Sequence, residues 1–367
     1  MALTINGERV REARLFRGLT KGQLSEKVNI SKQSISRYES NRSNISLKTL
    51  MSLVGELQFP TNFFTEKAKL NYLDEGNFYR SWFGISQTQN GVYDTYKHAA
   101  VILRHYFEQY IDFPQLSSTD LSDSTPEDSA AQLRNLWGIG GAPIDNMVAL
   151  LESHGIIVVN IPNATETIDG YATLDGIQYY VVITSLNDYY QSQLNLARAL
   201  GRYVLFNGAI GDSAQEHREM VKMADRFAYA LLLPGYELAN IDLTDLTSYI
   251  AIKDRWGLLP IYTLKYARGV GMINDNQYRR LFDKLNQYQT IVDSKQGILP
   301  TALHDAFDLM RKHLGLPAPK MAQQIMAEYG CSYPNEIWAN ALGVPLNMFT
   351  GKIVQVSFNN HKLGKEI

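Results

Sequence analysis

The chain has a single cysteine, Cys331, among its 367 residues. One thiol excludes a disulfide framework and a cysteine zinc site, and it suits a reducing cytosol. Its setting, MAEYGCSYPNE, gives little support to a nucleophilic role. Long apolar runs are also missing. None approaches the length of a membrane span, and the N-terminus lacks the basic and apolar blocks of a signal peptide. The expectation is a cytoplasmic protein with no membrane partner. Net charge is small, at −2. With 45% hydrophobic and 20% charged residues the composition is that of a globular protein rather than a disordered one. The length allows two or three domains with a real core.

The small net charge hides an asymmetry. Residues 1–68 carry eleven Lys and Arg against six Asp and Glu, so the remaining chain is acidic. A basic N-terminal module on an acidic body suggests a head that binds nucleic acid through a surface the body does not share.

Within that module Val10, Ala13 and Phe16, with Leu15 beside them, give the apolar stripe of a first helix, stopped by Gly18. Thr20 caps a second helix, and Gln23 completes a capping box. This helix turns Leu24 and Val28 inward and ends near Asn29. Ser31 caps a third helix, KQSISRYE, with Ile35 and Tyr38 inward. Lys32, Gln33, Ser36 and Arg37 then share its outer face. Two short helices joined by a tight turn form a helix-turn-helix whose second member can enter a major groove. Gln pairs bidentately with adenine, and Arg or Lys with guanine.

The stretch LTKGQLSEKVNISKQSISRYES resembles the Xre family, the lambda-type repressors, over roughly 60 residues of the chain. The resemblance implies a double-stranded DNA operator as partner and Lys32, Gln33 and Arg37 as base readers. Ser36 and Arg42 join the DNA-facing set. It also implies that Lys21 contacts phosphate, although that family commonly has glutamine there. Arg14 and Glu39 are implied to form a partly buried ion pair bracing the module.

The rest of the chain reads as mixed α and β. A tyrosine-rich helix follows residue 90. Its His98 and His105 are seven apart, too far to share an ion without other ligands, and read as packing residues. Thr125-Pro126-Glu127 starts another helix. IIVVNI is a buried strand, and Asp175-Gly176 joins two further strands as a hairpin. A helix over Tyr189–Phe206 follows. The next starts at Ser213, where SAQE reads as a capping box, and its His217 reads as part of a solvated face. Near the C-terminus WANALGVPLNMFTG echoes LVGELQFPTNFFTE from around residue 60, without the basic residues of the first module.

The helix over Tyr189–Phe206 sets Arg198 and Arg202 four residues apart on one face of an otherwise apolar frame. LWGIGGAPIDNMVALLESHGIIVV, then Ala197, Gly201 and Leu205, then ADRFAYALLLP, resemble the ImmA/IrrE family of metallopeptidase domains. The likeness covers about residues 125–290. In that family the first helix carries H-E-x-x-H and a later helix a glutamate, which together hold zinc and supply a base. The positions fall here on Arg198, Ala199, Arg202 and Met223. Arginine cannot ligate zinc near neutral pH, and alanine cannot act as a base. The expectation is therefore no catalytic residue, no metal and no cofactor. The two arginines either reach solvent, pair with carboxylates such as Asp188 or Asp225, or line a cleft for an anion.

The expected fold is multidomain and mainly α. It comprises a lambda-repressor-like head (1–68), a helical connector (69–117), an α+β zincin-like pseudo-peptidase (118–292) and a helical C-terminal domain (293–367). The expected function is sequence-specific transcriptional repression, on a phage or mobile element, by a homodimer. The degenerate domain would sense an anionic small ligand or an antirepressor protein. Two alternatives stand beside it: an active zinc endopeptidase that cleaves another repressor, and an antitoxin that binds a toxin and regulates itself.

Overall fold

The computed structural model describes residues 2–3, 5–80, 86–117, 119–209, 211–288 and 295–350. Residues 351–367 of the expected C-terminal domain, and 81–85 of the expected connector, lie outside them.

The head comprises α1 (Gly7–Phe16), α2 (Lys21–Lys27), α3 (Lys32–Glu39), α4 (Leu47–Leu57) and α5 (Thr61–Thr65), with β1 (Ala2–Leu3) paired antiparallel to β2 (Ile45–Ser46). Short polar side chains set its helix starts. Thr20 and Gln23 form a reciprocal capping box on α2, and Ser31 caps α3.

A four-stranded sheet follows, built from β3 (Tyr72–Asp74), β4 (Ile157–Asn160), β5 (Ile168–Leu174) and β6 (Ile177–Thr184). The strand order is β3-β5-β6-β4, with β4 parallel to β6 and the other pairs antiparallel. Asp175 and Gly176 both take positive φ, 51° and 84°, which closes the β5–β6 hairpin in two residues. Before β4 come α6 (Gln87–Glu108), α7 (Pro126–Leu136) and α8 (Met147–Glu152). After β6 come α9 (Tyr189–Phe206), α10 (Ala214–Leu232), α11 (Gly235–Ala239), α12 (Leu246–Trp256), α13 (Pro260–Gly269) and α14 (Asp275–Tyr288). The described chain closes with α15 (Ala302–His313), α16 (Ala318–Tyr329), α17 (Asn335–Leu342) and α18 (Asn347–Thr350).

Alternation along the strands divides the interior into two cores. Ile157, Val159, Ala172, Val181 and Ile183 face a core shared by the head, α6 and α15–α18. Val158, Tyr171, Tyr180 and Val182 face a second core with α7–α14. The segment read from sequence as a connector is thus structural. It supplies the edge strand β3, and its α6 runs through the first core against α1. Gly91 of α6 sits so close to Leu15 that an added Cβ would lie 2.3 Å from the Leu15 Cβ. The head is therefore packed onto the body rather than carried on a free linker.

The echo between the two ends has a shape. In both α4–α5 and α17–α18 a helix ends at a left-handed residue, Gln58 or Gly343. A buried apolar residue and a proline follow, and then a short helix with a buried phenylalanine.

Candidate nucleic-acid interface and an arginine-lined cleft

The second and third helices of the head meet through a tight turn. Asn29 takes φ 54°, and Ile30 N–H bonds back to Ser25 O at 3.0 Å. Leu24 and Ile35 are fully buried beneath it. This leaves Lys32, Gln33 and Arg37 exposed, with Ser36 half-buried between them. Positions 32, 33, 36 and 37 lie on one helical face. Arg42, just past α3, is exposed as well.

Beneath that face Arg14 donates from Nε and Nη2 to Glu39 at 2.5 and 3.1 Å, and from Nη1 to Leu19 O at 2.7 Å. Both residues are buried. The fork locks α1 to α3, and its planar geometry suits a carboxylate. Lys21 is partly exposed, with its ammonium drawn toward α3. Its ammonium lies 3.4 Å from Ser36 Oγ and 3.4 Å from Glu39 Oε2.

Residues 10–64 match a helix-turn-helix family model. They form an Xre-type helix-turn-helix domain. Such a domain points to sequence-specific DNA binding by a transcriptional regulator. Comparison of the chain with curated proteins and with solved structures gives no match.

The second candidate site lies where α9 and α10 meet the sheet. Arg198 and Arg202 are both buried, and both are paired. Arg198 Nε donates to Asp225 of α10 at 2.6 Å. Arg80, from the segment before α6, adds a bidentate pair to the same carboxylate at 2.9 and 2.9 Å. Burial works against the Asp225 charge, but Arg80 and Arg198 hold its carboxyl below the usual value. Arg202 donates from Nε to Asp169 of β5 at 2.8 Å, with Nη2 on the same oxygen. Asp169 is 1% exposed and also accepts from the Tyr180 hydroxyl. Burial opposes the Arg202 charge, and the Asp169 carboxylate more than restores it. Phe78 covers the Arg202 guanidinium with its ring centroid at 4.7 Å.

A cleft of about 380 Å³ opens here, lined by Arg80, Glu166, Arg198, Arg202, Tyr262 and Lys265 among others. Ala199 is fully buried behind it, and Met223 packs half-buried against the second core.

Three sequence expectations need correction. Asp188 does not meet an arginine; its carboxylate caps α9 by accepting from Gln191 N–H at 2.8 Å. His217 is not on a solvated face. It is 3% exposed, stacked on Phe78 at 4.7 Å and 3.4 Å from Arg80 O. The Ser213 cap forms, but Glu216 reaches back to the N–H of Asp212 rather than of Ser213, so the box closes one residue earlier. His98 and His105 both pack, on Tyr72 and Tyr179 respectively.

Sequence reasoning missed Arg80, Asp169 and Lys265. Asp169 left a signal. In IDGYATL it alternates onto the same strand face as Tyr171, and a carboxylate on a buried face needs a cation.

Proposed function

We propose that this chain is a sequence-specific transcriptional repressor whose middle region descends from an ImmA/IrrE-like metallopeptidase and has lost its chemistry. The observation that carries the first half is the α3 face. Lys32, Gln33 and Arg37 project to solvent from a helix whose back is pinned by the buried Arg14–Glu39 fork. A pinned helix with free amide and guanidinium groups is what base readout requires, because phosphate contacts position a protein while base contacts specify its site.

The second half is supported by the packing of α9 against α10 and by what fills the space between them. Two guanidinium groups, the Ala199 methyl and the Met223 thioether stand where the resembled enzymes carry ligands and base. Arg80 and Phe78 close over them from the chain itself. None of these groups polarises water, and the arginines are spent on Asp225 and Asp169. The cleft then acts as a receptor for an anionic small molecule or an acidic loop of an antirepressor. Lys265 provides its outward positive charge, and Arg80 and Arg198 together exceed the single charge of Asp225.

The test is selection of sites from random DNA by the full chain, followed by footprinting. One enriched sequence, arranged as two half-sites about 34 Å apart for a dimer, is the expected result. Recovery of unrelated sequences would refute it. In that event a helix-turn-helix used only for protein contacts becomes the better reading.

A further inference from the structure

A cavity of about 550 Å³ lies behind the helix-turn-helix, where α1 meets β3 and α6. Four carboxylates line it from three elements: Glu8 and Glu12 of α1, Asp74 of β3 and Asp94 of α6. Two of the nearby cations are engaged, Arg9 with backbone carbonyls and Lys97 with Asp74 itself. Arg9 donates to Phe63 O and Gly330 O at 3.0 and 2.7 Å. Lys97 is buried against Asp74, Gly76 O and Asn77. Arg11 lies exposed on the rim.

The carboxylates are under strain from one another. Burial, with the Asp94 charge adding to it, pushes the Glu12 carboxyl up to about 7. Burial and the Asp74 charge push Asp94 up to about 6. Arg9 offsets the rise at Glu12, and Lys97 and Arg11 that at Asp94, only in part. His98 is driven down to about 3 by burial and Arg9, so it is neutral. Its Nδ1 lies 2.8 Å from the Tyr333 hydroxyl, which donates to Glu12. Buried Cys331 lies beside them with its thiol pushed up to about 12.

A second observation is independent of the charges. The Tyr72 hydroxyl, on the cavity wall, is buried and has no hydrogen-bond partner among the described residues. A buried hydroxyl left unpaired costs free energy that a ligand would recover.

We infer that this cavity binds a small organic cation, with an ammonium or guanidinium group held among Glu12, Asp74 and Asp94 and the Tyr72 oxygen as a further acceptor. Such groups only donate, and the cavity is rich in acceptors. A bare metal ion fits less well. Among the described residues no three His, Cys, Asp or Glu side chains converge as metal ligands, and the volume suits a molecule. The site bears on α1, the helix that braces α3 through Arg14.

Calorimetric titration of the full chain with agmatine, which carries both an ammonium and a guanidinium, tests this at about pH 8 and pH 6. Saturable binding is expected at the higher pH, about tenfold weaker at the lower, because Glu12 must give up its proton. Glu12→Gln should weaken binding at pH 8 and cut the pH dependence to the roughly twofold that Asp94 leaves. Tyr72→Phe removes one oxygen and keeps the ring stack on His98; it should weaken binding at both pH values by about three- to tenfold. No saturable binding at pH 8, binding that neither substitution changes, or a pH profile shared by parent and Glu12→Gln would overturn the inference. Operator binding without agmatine, measured on the same preparations, reports the head separately.

Discussion

Arg202 leaves α9 toward the sheet and ends on Asp169, a carboxylate that is almost wholly buried. A buried pair adds little net stability, but breaking it strands a charge. Asp169→Asn should therefore lower unfolding free energy by about 3–5 kcal/mol, measured by denaturant titration. Arg202→Gln should cost a similar amount and so cannot probe ligand sensing cleanly. Lys265→Gln can, since among the described residues Lys265 has no carboxylate partner and only approaches the Tyr262 ring. An anionic effector should bind that variant more weakly while its melting temperature stays that of the parent. Glu12 gives a pH prediction. Its folded value, about 7, exceeds the ordinary value of 4.5, so the folded state holds its proton longer. Stability is then full below about pH 4.5 and falls as pH rises to 7, and Asp94 acts the same way between 3.8 and about 6. His98 opposes both, adding stability as pH rises from about 3 to 6.5. Glu12→Gln should thus gain about 2–3 kcal/mol on the parent between pH 4.5 and 7.5. A constant difference across that range would contradict the burial of this carboxyl.

At the scale of elements, α3 carries the sharpest expectation. Gln33→Ala or Arg37→Ala should cost about 1–3 kcal/mol of operator binding and relax preference at one base pair. Lys21 is a different case. Its ammonium is drawn to Glu39 and Ser36, so Lys21→Ala should loosen α2 from α3 as well as lower the salt slope of binding. A second element-level prediction concerns the α1–α6 contact. Gly91→Ala forces a methyl onto Leu15 and should cost about 1–3 kcal/mol, with earlier proteolysis around the head. Much at this scale was legible. Thr20, Ser31 and Thr125 mark helix starts because their hydroxyls satisfy orphan N–H groups, and Asp175-Gly176 marks a hairpin because both residues tolerate positive φ. Strand β3 was not legible. Three residues carry no period, and their pairing with Ala172–Leu174 is decided by the partner strand. The burial of His217 was hidden for a related reason, since Phe78, which covers it, is distant in sequence.

Across the whole molecule, the sheet separates a core that includes the DNA-binding head from a core that includes the arginine cleft. Local signals delimit elements, but they do not show that Phe59 and Phe63 of the head pack on Tyr333, some 270 residues later. That long-range packing joins the head to the C-terminal helices. The proposed loss of a metal site from the middle region makes one global prediction. Purified protein should carry no stoichiometric zinc, and chelator should leave its operator binding unchanged; one equivalent of tightly held metal would revive the peptidase alternative. The central claim is that an exposed, pinned α3 reads a DNA sequence. Its most direct test is fluorescence anisotropy of the full chain on its selected site and on a scrambled site, for parent and Gln33→Ala/Arg37→Ala protein, at fixed salt. The account predicts at least about a thousandfold preference for the selected site in the parent and its collapse in the double variant, with binding to the scrambled site changed far less. Equal affinity for both sites, or a preference untouched by the two substitutions, would contradict it.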